Sequence, residues 1–163
     1  MADLRHIRLL GDPLLYETAL PVTEDELPHL LPQINLLHDL VKAFRARYGK
    51  GRAIAAPQIG LLRRIICYHV GDDRRTLINP VLTDLSDEMI TLWDDCMSFP
   101  DLLVRVQRHR QCTIEYLDLD WQPQRWELSD DLSELMQHEY DHLDGILATM
   151  RAIDSQSFKM INS

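Results

Sequence analysis

Two histidines four residues apart, with a glutamate directly after the first, constrain this chain more than any other stretch: His138-Glu139-Tyr140-Asp141-His142. Four residues turn an α-helix by about 400°, so the two imidazoles share one face, roughly a turn apart, with Glu139 beside them. That spacing reads as two ligands for one metal ion plus a general base. Leu132, Leu135, Met136, Tyr140 and Leu143 recur around the pair at helical spacing, which predicts a buried helix rather than a solvated one. Burying two imidazoles and a carboxylate without partners is unfavourable, and a metal ion is a partner that satisfies them.

A third ligand is needed, and the residues after His142 include neither histidine nor glutamate. Asp144 and Asp154 are the acids there, and Asp144, two residues from His142, points to a different helix face. Upstream, Cys96 lies in Trp93-Asp94-Asp95-Cys96-Met97-Ser98-Phe99-Pro100. A thiolate is a strong ligand for zinc or ferrous iron, and two imidazoles plus one thiolate leave a fourth position open to solvent, the mark of a catalytic site. Cys67 and Cys112 compete for the role, but both sit in apparent strands and read as small buried hydrophobes.

These segments resemble those of the peptide deformylase family, metallohydrolases that remove the formyl group from the initiator methionine of new polypeptides. The family's G-x-G-L-A-A-x-Q pattern is matched by Gly51-Arg52-Ala53-Ile54-Ala55-Ala56-Pro57-Gln58, its E-G-C-L-S by Asp94-Asp95-Cys96-Met97-Ser98, and its H-E-x-D-H-L by His138 to Leu143. Order and spacing agree, and the resemblance spans nearly the whole chain. Departures are Ala53 and Ile54 in the first motif, and Asp94, Asp95 and Met97 in the second. Ala148 and Met150 also differ from the aromatic residue and acid common after the third. Asp95 is the largest change, because it puts a side chain and a charge where the family has glycine, next to the metal-binding cysteine. It points either into the cleft or out to solvent.

The resemblance implies one divalent ion held by Cys96, His138 and His142. It implies ferrous iron in the cell, while the same donors accept zinc, nickel or cobalt. It further implies Glu139 as the group that takes a proton from water and delivers it to the leaving amine. The Gln58 amide and the Met97 backbone N–H become donors to the tetrahedral oxyanion. The substrate, an N-formylated peptide or nascent chain, is expected to lie as an extra strand between the first two motif segments. Ile54, Met97 and Phe99 would then offer backbone pairing or a side-chain pocket, with Gly51 allowing close approach. Arg108 is expected near the cleft with Asp94 as its acidic partner, and Gln137 and Asp141 are expected to orient the imidazoles. Glu134, one turn before His138, stands near the family's side-chain pocket, where it would serve an apolar methionine poorly. Two rival readings follow from the departures: an amidase acting on another N-formyl or N-acyl compound, or a metal-binding protein impaired in catalysis.

The expected fold is α+β, with antiparallel or mixed sheets packed around the metal-bearing helix, as one domain over residues 1–163. Thr23-Glu24-Asp25-Glu26 has a capping-box pattern ahead of a helix whose apolar face is Leu27, Leu30, Leu31, Ile34, Leu37, Val41 and Phe44, stopped at Gly49 and Gly51. Pro32 predicts a kink or a later start, and His38 is expected at the surface. Extended segments are expected at 64–70, 76–85, 102–106, 113–119 and 125–128, the last two joined by a turn at Trp121-Gln122-Pro123, and Ser129-Asp130-Asp131 opens the ligand helix. At 163 residues and 45% hydrophobic content the chain can bury a core without disulfides. A net charge of −9 argues against a nucleic-acid surface. No apolar run suits a membrane span or a leader, and three cysteines suit a reducing compartment, so a cytoplasmic location is expected.

Overall fold

The computed structural model describes residues 1–161. Helix α1 (Leu27–Tyr48) is followed by strands β1 (Ala53–Ala55), β2 (Ile65–Val70), β3 (Asp73–Thr83), β4 (Met89–Asp94), β5 (Leu102–His109), β6 (Gln111–Leu117) and β7 (Pro123–Ser129), then by helix α2 (Asp130–Leu143) and strand β8 (Phe158–Met160). One sheet has the order β1-β2-β3-β6-β7 and the other β4-β5-β8. All of their strand pairs are antiparallel. The architecture is α+β, as the alternation of short apolar segments between two periodic stretches predicts.

The larger sheet is covered on both faces, and this explains the unbroken apolar run Ile65-Ile66-Cys67-Tyr68 in β2. Ile54, Ile65, Cys67 and Ile78 face α1, where they meet Ile34, Leu37, Val41 and Phe44. Their strand neighbours Ala53, Ala55, Ile66, Tyr68 and Leu77 face the other way, into a second core with Met136 and Leu143 of α2. Alternation in β1 thus puts isoleucine toward α1 and two alanines toward α2. The small side chains let the ligand helix lie close to the sheet edge.

Helix α1 starts at Leu27 and runs through Pro32, so the later start does not occur. Pro28 and Pro32 both lie on the exposed side, where the Pro28 carbonyl, deprived of an intrahelical donor, faces water. Leu31 is exposed beside them and leaves the apolar face predicted for it. His38 reverses its expectation: it is 1% exposed, with Nε2 2.9 Å from Thr76 Oγ1 of β3. Its polarity suggested surface, but the stripe Leu37-Leu40-Val41-Phe44 is wide enough to carry it inside. Strands β1, β4 and β8 were not anticipated. Strands β1 and β8 are three residues each, too short for a periodic signal. In β4, Ile90, Leu92 and Asp94 alternate with exposed Met89, Thr91 and Trp93, a pattern legible in retrospect. The Trp121 turn is present, with φ of 60° at Trp121.

Gly145 fixes where α2 ends and how closely the chain before α1 approaches it. Its φ is +72°, and a Cβ there would lie 2.5 Å from the Tyr16 carbonyl oxygen. Among the described residues no helix is long and apolar enough to cross a membrane.

Burial, with the positive charge of Arg74 and the neighbouring His69 adding to it, pushes the His38 imidazole down to about 3. The unfolded chain takes up this proton near pH 6.5, so the stability due to neutral His38 is complete above that pH. It is lost progressively as pH falls toward 3. Denaturant unfolding at pH 7 and pH 5 is expected to show a fall in stability that shrinks by about 2 kcal/mol in His38→Gln. An unchanged difference between the two pH values would assign the acid sensitivity to other groups.

Candidate metal centre

Helix α2 carries His138, Glu139 and His142 on its buried side, at 3%, 4% and 1% exposure. The hairpin β4–β5 brings the third donor. Asp94 ends β4 opposite Val104 of β5, and Cys96 follows two residues later. Its Sγ is 3.4 Å from His142 Nε2. One donor atom from each of Cys96, His138 and His142 lies within 4.8 Å of the others. No other such group of three occurs among the described residues. Cys67 and Cys112 are buried in β2 and β6, away from this group, and all three cysteines are free thiols.

Two donors converge on the sulfur: the backbone N–H of Ser98 at 3.4 Å and the Gln58 side-chain amide at 3.6 Å. Gln58 is itself held on both ends. Its Oε1 accepts from the Ala55 N–H at 2.9 Å and its Nε2 donates to Ser98 Oγ at 3.1 Å, so its amide is oriented rather than free.

Each imidazole keeps Nε2 for the centre. His138 Nδ1 bonds Asp94 Oδ2 at 2.8 Å, and the same oxygen accepts from Arg108 Nη2 at 3.0 Å. Arg108 Nη1 reaches Asp141 Oδ2 at 2.6 Å, and Arg151 Nη2 donates to Asp141 Oδ1 at 2.8 Å. Burial pushes the Asp94 carboxyl up, but positive His138 and Arg108 outweigh it and hold the group below its ordinary value. Without an ion, burial pulls His138 down while the charges of Asp94 and Cys96 lift it well above the ordinary value. Burial and the His138 charge depress His142 far below its own. A metal ion would take the place of a proton among these donors.

Glu139 completes the arrangement. Burial pushes its carboxyl up to about 7, the charge of His138 pulls it down, and the nearby acids Asp94, Glu134 and Asp95 raise it further. Its Oε2 is buried with no hydrogen-bond partner among the described residues. An orphaned carboxylate oxygen beside a thiol and two Nε2 atoms is what a divalent ion and a water would satisfy, so the donor set fits the implied metal.

Two orientation roles were misplaced. Gln137 touches no imidazole: its side chain binds the backbone N–H and carbonyl of His109, which fastens α2 to the end of β5. Asp141 binds Arg108 and Arg151 instead of a histidine. The residue that fixes His138 is Asp94, from another element 44 positions away, which reasoning along one helix does not reach.

Substrate-side expectations divide in the same way. Arg108 does pair with Asp94, but it is 3% exposed and borders a cavity beside Gln137 and Asp141 that none of the three donors lines. Ile54 and Phe99 have buried side chains, Ile54 in the α1 core and Phe99 beside Val104 and Val106, so neither lines an open pocket. Met97 also points into the α1 core. Gly51 has φ of +114°, and a Cβ there would come within 2.9 Å of Phe44 Cδ1 and 3.0 Å of Met97 Cε. Its carbonyl is clamped by Arg45 Nε and Nη2, a contact the sequence did not signal. Asp95 faces outward, its side chain 45% exposed and 3.5 Å from Lys50 Nζ. Neither Asp95 nor Ala53 has positive φ, so neither position requires glycine.

Residues 4–158 match the family model described as polypeptide deformylase. The peptide deformylase of Natranaerobius thermophilus is 37% identical over 152 residues, 91% of this chain and 92% of its own. That of Thermoanaerobacter pseudethanolicus is 34% identical over 150 residues, 92% of this chain and 90% of its own. Among solved structures, the peptide deformylase of Thermotoga maritima superposes with a TM-score of 0.81 at 30% identity, covering 91% of this chain and 97% of that one. The Synechococcus elongatus peptide deformylase, solved in complex with actinonin, gives 0.79 at 27% identity over 93% of this chain and 80% of that one. With residues 4–158 matched and the fold shared in this way, the chain belongs to the polypeptide deformylase family of metallohydrolases.

Proposed function

We propose that this protein hydrolyses the N-formyl group of N-formylmethionyl peptides, releasing formate, with Cys96, His138 and His142 as the ligands of one divalent ion. The observation that carries this reading is the convergence of one sulfur and two imidazole nitrogens within 4.8 Å beside the orphaned Glu139 oxygen. When bound, the ion would supply Lewis acidity, which lowers the pKa of water toward neutrality. Soft thiolate with two imidazoles suits ferrous iron in the cell, and zinc, nickel or cobalt in its place.

The remaining work falls to side chains. Glu139, buried and held near neutrality, takes the proton of the attacking water and passes it to the departing amine. The Gln58 amide, aimed by Ala55 and Ser98, and the Met97 backbone N–H donate to the developing oxyanion. Asp94 keeps His138 in one tautomer and orientation, and Arg108 keeps Asp94 charged. Among the described residues β1 pairs with β2 alone, which leaves its other edge for an extended substrate. There Ala53 offers its backbone N–H and C=O to the substrate, since those of Ile54 turn to Cys67 of β2. Gly51 preserves the turn into that edge. The partner is an N-formylated peptide or nascent chain, and three free cysteines support a cytoplasmic setting.

Impaired catalysis is not favoured, because Asp95 turns away to Lys50 and strains no backbone. Protein purified anaerobically is expected to release formate from N-formyl-Met-Ala-Ser. Glu139→Gln should lower kcat by about a hundredfold or more while metal content is unchanged. Full metal occupancy with no formate from the unaltered protein would reject the reading. Asp94→Asn is expected to weaken metal affinity by about 10–100-fold in a chelator competition, since His138 loses its carboxylate partner. Undiminished affinity would leave Asp94 with a purely structural part.

A further inference from the structure

Accepting the deformylase reading, the surroundings of the centre restrict which way the substrate's first side chain can go. In an N-formyl compound that side chain branches from the carbon bonded to the formyl nitrogen, so it must lie within a few bonds of the reacting atoms. Around the sulfur the way is closed by Gln58 and Ser98, each 1% exposed, and behind His138 it is closed by Asp94 at 3%. Exposure rises along α2 toward its N-terminus. Glu134, one turn before His138 and on its face, has a side chain 13% exposed, and Arg52 beside it reaches 33%.

Those two residues are joined. Arg52 Nη2 lies 3.2 Å from Glu134 Oε1 and Nη1 lies 3.0 Å from Asp131 Oδ2, so one guanidinium spans from the head of β1 to the first two turns of α2. Glu134 stands one turn from His138 and Arg52 immediately precedes the edge strand β1, so the pair borders the centre. Two carboxyl groups share one cation, so a second cation is what would hold both of them ionised. An apolar side chain entering here must desolvate an ion pair and gives nothing back to Glu134 or Arg52. A cation can take Glu134 while Arg52 swings to Asp131, which is 77% exposed and held only loosely.

We propose that Arg52 and Glu134 determine the specificity of this centre, favouring N-formyl substrates whose first side chain is cationic, like that of lysine or arginine, over methionine. Sites built to bind polar groups reject apolar analogues more strongly than apolar pockets reject polar ones, so the effect should be read in a ratio of kcat/KM values.

The experiment compares N-formyl-Lys-Ala-Ser with N-formyl-Met-Ala-Ser on metal-loaded protein. The unaltered protein is expected to prefer the lysine peptide by about tenfold or more in kcat/KM. Glu134→Gln, which keeps shape but removes charge, should reduce that ratio at least fivefold. Arg52→Leu, which frees both carboxylates, should raise it. Opposite movements of one ratio are not what a merely structural role produces. A preference for the methionine peptide, or a ratio that neither variant moves, overturns the proposal and leaves deformylation standing. Absence of formate from both peptides overturns the deformylase reading and this inference with it.

Discussion

One carboxylate oxygen, Asp94 Oδ2, holds the two halves of the centre together. It accepts from His138 Nδ1 on α2 and from Arg108 Nη2 on β5, and it belongs to the strand whose continuation carries Cys96. Helix and hairpin come from different sheets' surroundings, and nothing in the local sequence of either sets their separation. The hydrogen bond does, and the sulfur two residues on is thereby brought to the imidazoles. Removing one partner of such a buried network typically costs about 3–5 kcal/mol, whereas an apolar replacement of the whole network can be neutral. Its retention is therefore better explained by positioning than by stability, and Asp141 and Arg151 extend the same logic outward by holding Arg108.

Packing supplies the other half of that positioning. Strand β1 presents Ile54 to α1 and Ala53 and Ala55 to α2, so a three-residue strand fills one core with bulk and lets the ligand helix approach on the other side. Ala53 replaces the second glycine of the family pattern without strain because its backbone is extended, with φ negative. At Gly51 the constraint is real. Positive φ and the proximity of Phe44 and Met97 both exclude a side chain, and Arg45 fixes the carbonyl that results. The first motif is thus a hinge of one obligatory glycine followed by a short edge, not a generally flexible loop.

What the sequence made legible was whatever is written in local spacing. The pentad places His138, Glu139 and His142 on one face because helical geometry requires it, and Cys96 stands out because the other two cysteines sit within strand-like runs. Contacts between distant segments were not legible. Asp94 meets His138 across 44 positions and Arg52 meets Glu134 across 82, and no periodicity encodes either. Gln137 and Asp141 were assigned to the imidazoles because they share the helix. Yet residues one before and three after His138 lie on flanks that face β5, and there they bind backbone and arginine. His38 fails for a related reason: a polar residue within a wide apolar stripe is buried when the opposite strand offers a hydroxyl, here Thr76.

Asp95, the departure that sequence comparison makes most conspicuous, turns outward, and its charge is the least of those that raise Glu139. Its side chain pairs with Lys50, which immediately precedes Gly51, so the contact runs between the first and second motif segments. Both groups are partly exposed, and such pairs are worth at most about 1 kcal/mol. A substrate strand lying between those segments, as proposed, displaces the pair at small cost. Arg52 and Glu134 differ in kind. Glu134 is largely buried, so burial and neighbouring Asp94 push its carboxyl up to about 7 while Arg52 and His138 pull it down. Burial strengthens interactions that solvent screens at Asp95, so an incoming side chain must answer to Glu134 even where it can ignore Asp95. On the proposed reading, the conspicuous substitution in the motif is the weaker influence on substrate and the Arg52–Glu134 pair the stronger.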